Sequence, residues 1–231
     1  MPKPISKTTV ATYTAILFHA IGLIGILAFE SDLIIRSTAY NLLLSFALLI
    51  WTQKEKNQAF FIFVIATGIL GFAAELVGVN TGLIFGKYTY GDVLGIRWMG
   101  VPFIIGINWI IIVYCCGIAT HTLITRVIGR LASAASVPPK AIKAITVITD
   151  GATIATFFDW VMEPVAIKLG FWKWGGDGMI PYYNYFSWFV FSMLLFGIFH
   201  ACNFRKRNKF AVNLLLIQFA FFFILRFYLN Q

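Results

Sequence analysis

The sequence predicts an all-α polytopic membrane protein that forms one transmembrane helical domain over residues 1–231. Hydrophobic residues make up 60% of the chain, charged residues only 12%, and the mean hydropathy is +0.84. A soluble domain of this size would need many more polar residues to cover its surface. The apolar runs are long and do not alternate with polar residues, which excludes a transmembrane β-barrel. We therefore expect membrane-spanning helices.

Seven apolar stretches have about the length that crosses a hydrocarbon core of about 30 Å. The predicted spans, in chain order, are Val10–Phe29, Leu33–Trp51, Ala59–Val79, Val101–Leu123, Ala141–Pro164, Tyr185–Asn203 and Phe210–Leu229. The first span follows Lys3 and Lys7 as a signal sequence would, but it is long and more hydrophobic spans follow it. We expect it to be retained as a signal anchor.

Basic residues predict the orientation, because Lys and Arg accumulate on the cytoplasmic side of a membrane. Alternating the loops places twelve of them on one side: Lys3, Lys7, Lys54, Lys56, Arg126, Arg130, Lys140, Lys143, Arg205, Lys206, Arg207 and Lys209. The other side has the remaining six: Arg36, Lys87, Arg97, Lys168, Lys173 and Arg226. This asymmetry predicts a cytoplasmic N-terminus and an external C-terminus, in the inner (plasma) membrane of the cell.

The net charge of +9 is explained by this orientation. A nucleic-acid partner would require a basic soluble face, which the chain lacks, so none is expected. No nucleotide-binding glycine loop, metal-ligand spacing or haem motif occurs, and the sequence predicts neither a metal nor a cofactor. Cys115 and Cys116 are adjacent in the fourth span and Cys202 is near the end of the sixth, while His19, His121 and His200 lie on three different spans. All six are interpreted as packing residues, because their spacing fits neither a disulfide framework nor a metal site.

Three acidic residues at the ends of two spans are the candidate site. A carboxylate inside a bilayer costs about 2.5 to 3.5 kcal/mol, so such acids usually face a cavity or one another. Asp159 and Glu163 are four residues apart, which puts both on one helix face about 6 Å apart along the axis. Because two close carboxyls cannot both ionise cheaply, one is expected to stay protonated beside an ionised partner. Glu75 is the third acid, and the structural alternative is that all three cap helix ends in the headgroup region.

Asp150 is set apart from these acids. It precedes Asp159 by nine residues, which leaves it about half a turn away on an ideal helix. Two roles remain open for it, a helix-packing hydrogen bond and a proton relay.

The loops that follow the two acid-bearing spans have similar patterns. In each, the acid is followed by an aromatic-x-aromatic triplet, Gly, Asp, Pro, Asn and Trp in that order, and thirteen residues separate Glu75 from Tyr88 and Asp159 from Trp172. The pattern suggests a diverged internal repeat, which in membrane proteins often has a site at the interface between its halves. Composition alone is the alternative explanation, because glycine and aromatic residues recur at membrane boundaries.

The same segments carry a family resemblance from about residue 70 to residue 200. Residues 74–82 (AELVGVNTG), 85–90 (FGKYTY) and 100–102 (GVP) resemble the first signature of the carotenoid biosynthesis membrane proteins, which include carotenoid 1,2-hydratases of the CruF and bisanhydrobacterioruberin hydratase type. Residues 158–164 (FDWVMEP), 171–174 (FWKW) and Pro181 through Asn184 to Trp188 resemble the second. The chain departs from the family pattern with Phe158 where Trp is common and Glu163 where Asp is more usual.

The resemblance implies a cofactor-independent hydro-lyase that adds water across the terminal C1=C2 double bond of an acyclic carotenoid such as lycopene or γ-carotene. Protonating an isolated alkene requires a carboxylic acid kept neutral, a role for Asp159 or Glu163, with Glu75 positioning and deprotonating the water. The expected substrate-binding residues, several of which offer ring faces to the tertiary cation, are Tyr88, Tyr90, Trp160, Trp172, Trp174, Asn108 and Asn184. The expected partners are the carotenoid, water, the bilayer and other carotenoid enzymes.

Two other functions fit the same residues. A lycopene-type cyclase protonates the same alkene but captures the cation with an internal double bond, and a proton-coupled transporter would use Glu75 and Asp159 as proton carriers. A prenyltransferase is disfavoured because a second acidic motif is missing. A retinal-binding photoreceptor is excluded because Phe210–Leu229 contains no lysine.

Overall fold

The computed structural model describes residues 5–131 and 140–229, most of which are helical. The helices are α1 (Lys7–Phe29), α2 (Asp32–Arg36), α3 (Thr38–Thr52), α4 (Gln58–Thr81), α5 (Ile104–Leu131), α6 (Lys140–Lys168), α7 (Tyr182–Ala201) and α8 (Lys209–Leu229). Four short strands lie in the connections: β1 (Tyr88–Tyr90), β2 (Arg97–Trp98), β3 (Val101–Pro102) and β4 (Trp172–Trp174). Among the described residues, six helices, α1 and α4 to α8, are long and apolar enough to cross a membrane. The protein is a multi-pass membrane protein.

The second predicted span differs from the structure. A continuous helix was expected over Leu33–Trp51, but the chain forms the short α2, a break at Ser37 and then the 15-residue α3. The hydroxyls of Ser37 and Thr38 donate to the carbonyls of Ile34 and Ile35 at 2.7 Å, which offers the backbone an alternative to helix continuation. At 1.5 Å per residue, α3 is about 22 Å long and shorter than a typical span.

The two ends of α3 are nonetheless far apart in the bundle. Thr38 lines a cavity with Leu94, from the short 3₁₀ helix Asp92–Leu94 that follows β1. Thr52 accepts a hydrogen bond from Asn208, in the connection between α7 and α8.

Seven crossings and the orientation of the termini stay predictions. Lys3, one of the basic residues used to predict the orientation, lies outside the described residues. Reporter fusions at both ends would test them, since seven crossings require the two ends on opposite sides.

Helix α5 is the centre of the bundle. In its membrane-spanning window 78% of the residues are buried, against 28 to 39% in each of the other five candidate spans. Helices α4 and α6 both pack on α5, and α7 packs mainly on α6, while α1 packs mainly on α8. The two acid-bearing helices, α4 and α6, therefore reach the same end of the molecule on either side of α5.

Helix α6 continues past the predicted end of the fifth span at Pro164 and stops at Lys168. Proline has no backbone N–H, so Pro164 cannot donate to the carbonyl of Trp160 four residues earlier. The guanidinium of Arg226 in α8 donates to that carbonyl instead and lies 3.8 Å from the centre of the Trp160 ring. A side chain from another helix thus satisfies the group that the proline leaves free.

Candidate active site

A small buried cavity lies where the C-terminal parts of α4 and α6 meet β1, β4 and the first turns of α5 and α7. It has a volume of about 30 Å³, enough for a water molecule. The three candidate carboxyls face it and are almost completely shielded, with exposed fractions of 4% for Glu75, 0% for Asp159 and 2% for Glu163. The full lining is Glu75, Phe85, Tyr88, Tyr90, Ile105, Asn108, Asp159, Met162, Glu163, Trp172, Trp174, Asn184 and Trp188.

Glu75 is held by three hydrogen-bond donors. Its Oε2 accepts from the hydroxyls of Tyr88 and Tyr90, the latter at 2.8 Å, and its Oε1 accepts from Trp109 Nε1 at 3.0 Å. An ionised carboxylate only accepts hydrogen bonds, whereas a protonated carboxyl must also donate one. Three donors on two oxygens suit the ionised form of Glu75.

Two glycines on α4 make room for these donors. A Cβ atom at Gly71, one turn before Glu75, would lie 2.5 Å from Cγ of Trp109. A Cβ atom at Gly78, three residues after Glu75, would lie 2.9 Å from the hydroxyl oxygen of Tyr88. Glycine at both positions lets the aromatic donors reach the carboxyl from either side.

The two aromatic-x-aromatic triplets form a two-stranded antiparallel ladder across the cavity. Tyr88 is opposite Trp174, and Tyr90 is opposite Trp172. Residues directly opposite in such a ladder have their side chains on the same face, so both pairs point towards the carboxyls. The tyrosines of β1 bond Glu75 of α4, while Trp172 and Trp174 of β4 donate to Oε1 of Glu163 in α6 at 2.7 and 2.6 Å.

The tyrosine hydroxyls lie outside the spanning helices and stay protonated. Burial, reinforced by the neighbouring Glu75 carboxyl, raises the pKa of Tyr88 and of Tyr90 well above their ordinary value. Both hydroxyls therefore remain donors to Glu75 at any physiological pH.

Asp159 has the least satisfied carboxyl of the three. Its Oδ2 accepts a single hydrogen bond from Asn184 Nδ2 at 3.2 Å. Its Oδ1 is buried and receives no hydrogen bond from a donor among the described residues, and its carboxyl lies within hydrogen-bond reach of the Glu163 carboxyl. A buried polar oxygen without a donor carries a desolvation cost of about 1–3 kcal/mol, which a bound water or a proton on the carboxyl would reduce.

A second, largely apolar cavity adjoins the first. The two share Ile105, Asn108, Met162 and Trp172. The second cavity has a volume of about 70 Å³ and extends between α1, α3, α6 and α8, where Phe158, Phe221 and Phe222 line it. Asn108 stands at the junction, and no side-chain hydrogen bond of its amide is found in the described part of the chain.

Comparison with known proteins identifies the family. A family model described as "Carotenoid biosynthesis protein" matches residues 36–231. The chain belongs to this family. It is also 28% identical over 155 residues to bisanhydrobacterioruberin hydratase from Haloarcula japonica, an alignment that covers 63% of this chain and 48% of that protein. The chain thus spans about half the length of that curated relative. No solved structure matches.

The family resemblance predicted from the sequence is confirmed. Most candidate site residues of this carotenoid biosynthesis protein line the cavity. They are the three acids together with Tyr88, Tyr90, Asn108, Trp172, Trp174 and Asn184. Trp160 does not line it. One residue beyond Asp159, it is rotated by about 100° on the helix. Trp160 is 43% exposed, and its ring contacts Arg226. Asp150 is exposed and is also absent from the lining.

Trp109 was missed as a site residue. It donates to Glu75, is 1% exposed, and stacks on Trp188 with ring centroids 4.2 Å apart. Both tryptophans occupy the last position of the repeated loop pattern, which was the available signal. Among the described residues no group of three or more His, Cys, Asp and Glu side chains is arranged to hold a metal.

Proposed function

We propose that this carotenoid biosynthesis protein is a carotenoid hydratase of the inner membrane, which adds water across the terminal C1=C2 double bond of an acyclic carotenoid end. The observation that carries the proposal is the cavity itself. Three buried carboxyls surround a water-sized space, aromatic rings line it, and a largely apolar cavity opens from it. The name of the Haloarcula japonica relative supports the same reaction class.

Asp159 is the proposed proton donor. An alkene is a poor base, so the acid must be neutral when the substrate arrives and must lie free of competing donors. Asp159 meets the second requirement, because no N–H or O–H donor among the described residues bonds its Oδ1 and its carboxyl neighbour Glu163 can only accept a proton from it when ionised. In the proposed first step the carboxyl proton moves from Oδ1 to C2, the alkene electrons form the new C–H bond, and the positive charge develops at C1.

Aromatic rings and carboxylates would stabilise this cation. Tyr88 and Trp174 lie 5.2 Å apart between ring centroids, and Tyr90 and Trp172 lie 5.9 Å apart. A desolvated cation over such a ring gains about 2 kcal/mol or more. Glu163 remains ionised under two indole N–H donors and adds a negative charge close to the same place.

Glu75 is the proposed base for water. The water oxygen attacks C1, and one of its protons passes to the Glu75 carboxylate, which leaves a tertiary alcohol. Transfer of that proton back to Asp159 within the cavity restores the starting state, so water is the only reagent consumed. The unbonded amide of Asn108 is suited to orient the water at the junction of the two cavities.

Water and carotenoid would enter from different sides. A recess of about 440 Å³ on the other side of the strand ladder shares Tyr88 and Trp174 with the carboxyl cavity and is lined by polar groups that include Asn80, Lys87 and Lys173. The apolar cavity lies between the helices α1, α3, α6 and α8 and would accept the terminal isoprene unit. Opening of this cavity is required, because its present volume is smaller than a carotenoid end.

Purified protein with lycopene or γ-carotene in detergent tests the proposal, with chelator present and no cofactor added. Mass analysis of the pigment should show a gain of one water. An isomer of unchanged mass would instead identify a cyclase, and unchanged pigment with proton uptake in vesicles would identify a transporter. Activity that is lost in chelator and restored by a divalent metal would overturn the acid mechanism.

A further inference from the structure

A cluster of cationic side chains surrounds a recess at the end of the bundle opposite to the carboxyl cavity. The recess has a volume of about 390 Å³ and is lined by His121, Asn203, Phe204, Arg205, Lys206 and Arg207. His121 of α5 interacts electrostatically with Lys143 of α6 and with Lys206 and Arg207 of the connection between α7 and α8. Separate parts of the fold thus bring their positive charges to one place.

No described carboxylate compensates this charge. The two ion pairs found among the described residues, Asp32 with Arg36 and Asp92 with Arg97, both lie at the other end of the bundle. Glu55 lies at this end of the bundle, because its neighbours Gln53 and Asn57 donate to the carbonyls of Arg205 and Asn203. Its carboxyl accepts from Asn57 and forms no ion pair with the described residues of the recess. Gathering like charges costs free energy, and a bound anion would offset that cost.

Lys206 is fixed in position at the recess. Its Nζ donates to the carbonyls of Cys202 at 2.7 Å and His200 at 3.3 Å, and it lies 5.3 and 5.0 Å from the ring centres of Phe199 and Phe204. An ammonium group has three donors, so one remains for a ligand. Burial, with a contribution from Lys143, lowers the pKa of Lys206, as expected for a cation that lacks a counter-ion.

We propose that this recess binds a phosphate anion, and that the source is the headgroup of an anionic phospholipid. Phosphate oxygens accept from ammonium and guanidinium groups together, and basic recesses between transmembrane helices suit lipid headgroups. The recess lies between His121 of α5 and the connection that joins α7 to α8, and a connection between two spanning helices is where the headgroup layer meets the bundle. Phe199 and Phe204 are buried against the ammonium, and their rings hold it in place at the recess.

The test compares the double variant Lys143→Gln/Arg207→Gln with the charge-matched control Arg36→Gln/Lys168→Gln, whose two basic residues lie at the other end of the bundle. The thermal midpoint of each purified protein is measured while phosphatidylglycerol, phosphatidylcholine or inorganic phosphate is titrated. Phosphatidylglycerol should stabilise the wild type and the control. Its half-saturating concentration should rise about 30-fold in the double variant, from two lost basic contacts.

The outcomes separate the sources of the phosphate. Stabilisation by phosphatidylglycerol alone, lost in the double variant, supports a lipid headgroup. Stabilisation by inorganic phosphate that is lost in the same variant supports the anion site and moves its source to soluble phosphate. Equal responses of the double variant and the control, or a response to phosphatidylcholine as large as that to phosphatidylglycerol, would overturn the proposal.

Discussion

The two acid-bearing halves of the molecule have the same order of elements, but their carboxyls differ in the number of hydrogen bonds that they receive. In both, a helix ends near an acid, an aromatic strand follows, and the next helix begins with an Asn and a Trp. Glu75 in the first half receives three hydrogen bonds. Asp159 in the second half receives one and keeps a buried oxygen without a described donor. This difference in hydrogen-bond donors is the basis on which we propose Glu75 as the base and Asp159 as the acid.

The indole donors of the second half bond a different acid from the one that the pattern of the first half would indicate. Thirteen residues separate Asp159 from Trp172, as they separate Glu75 from Tyr88, yet Trp172 and Trp174 bond Glu163, one helical turn beyond Asp159. Glu163 has no counterpart in the first half, where Val79 occupies the position four residues after Glu75. The indole donors therefore bond Glu163, and in the proposed mechanism this leaves Asp159 to carry the proton.

The largest effect is expected from removing that proton. Asp159→Asn keeps the size of the side chain and its contact with Asn184 but has no acidic hydrogen, so hydration should fall by about 10⁴-fold or more while the protein still accumulates in the membrane. Asp150→Asn is the matched control, because Asp150 is an exposed acid on the same helix and should retain near-normal activity. Pigment analysis by mass measures both.

Glu163→Gln extends this test to the second acid of the pair. If Glu163 supplies only negative charge, its loss should reduce hydration less than Asp159→Asn does. A larger loss of hydration with Glu163→Gln than with Asp159→Asn would instead make Glu163 the acid and Asp159 the residue that supplies negative charge.

Glu75→Gln should have the next largest effect. It removes the proposed base and should lower the rate of hydration by about 10²- to 10⁴-fold. It also leaves one of the three donors opposite an amide N–H group, which should destabilise the protein by about 1–3 kcal/mol. Thermal unfolding in detergent measures the second effect. A near-normal rate of hydration together with a lower thermal midpoint would indicate that Glu75 has a structural role only.

Gly71→Ala should act through the position of Trp109. The added Cβ would meet the indole at 2.5 Å, and overpacking of this kind costs about 1–3 kcal/mol. Gly197→Ala is the matched control, since Gly197 lies in α7 with open space around the built Cβ. The control should be neutral or slightly stabilising, because alanine favours helix by about 0.5–1 kcal/mol. Equal thermal midpoints for the two variants would argue against a fixed Trp109.

The smallest effect is expected from Tyr90→Phe, which removes one of three donors to Glu75. With Tyr88 and Trp109 still bonded, the activity should drop by about tenfold, the value of one hydrogen bond of about 1.4 kcal/mol. Trp172→Phe makes the equivalent change at Glu163. Because Tyr90 and Trp172 are directly opposite in the ladder with ring centroids 5.9 Å apart, the loss in log rate of the double variant should differ from the sum of the two single losses.

Local chemistry made much of this protein predictable from its sequence. The run length and composition of the apolar segments predicted the helical membrane fold, and an acid spacing of four residues placed Asp159 and Glu163 on one helix face. The break at Ser37 was not predicted, because hydropathy is insensitive to hydroxyl groups that bond the preceding turn. The continuation of α6 through Pro164 depends on Arg226, which is distant in the sequence.

The pairing of β1 with β4 marks the limit of sequence reasoning at the site. The triplets 88–90 and 172–174 are separated by two transmembrane helices, so nothing local indicates that they form one ladder. Only that ladder and the stacking of Trp109 on Trp188 determine which aromatic group bonds which acid. The repeated pattern indicated that the two loops were related, but it could not predict that the indoles of β4 would bond Glu163 instead of Asp159.

The most direct test of the account is the origin of the new oxygen and the dependence of its incorporation on Asp159. Wild-type protein and Asp159→Asn are incubated with lycopene in oxygen-18 water, and the pigment masses are compared. The account predicts a tertiary alcohol that contains labelled oxygen for the wild type and unreacted pigment for Asp159→Asn. Unlabelled oxygen in the product, a product of unchanged mass, or equal conversion by Asp159→Asn would contradict it.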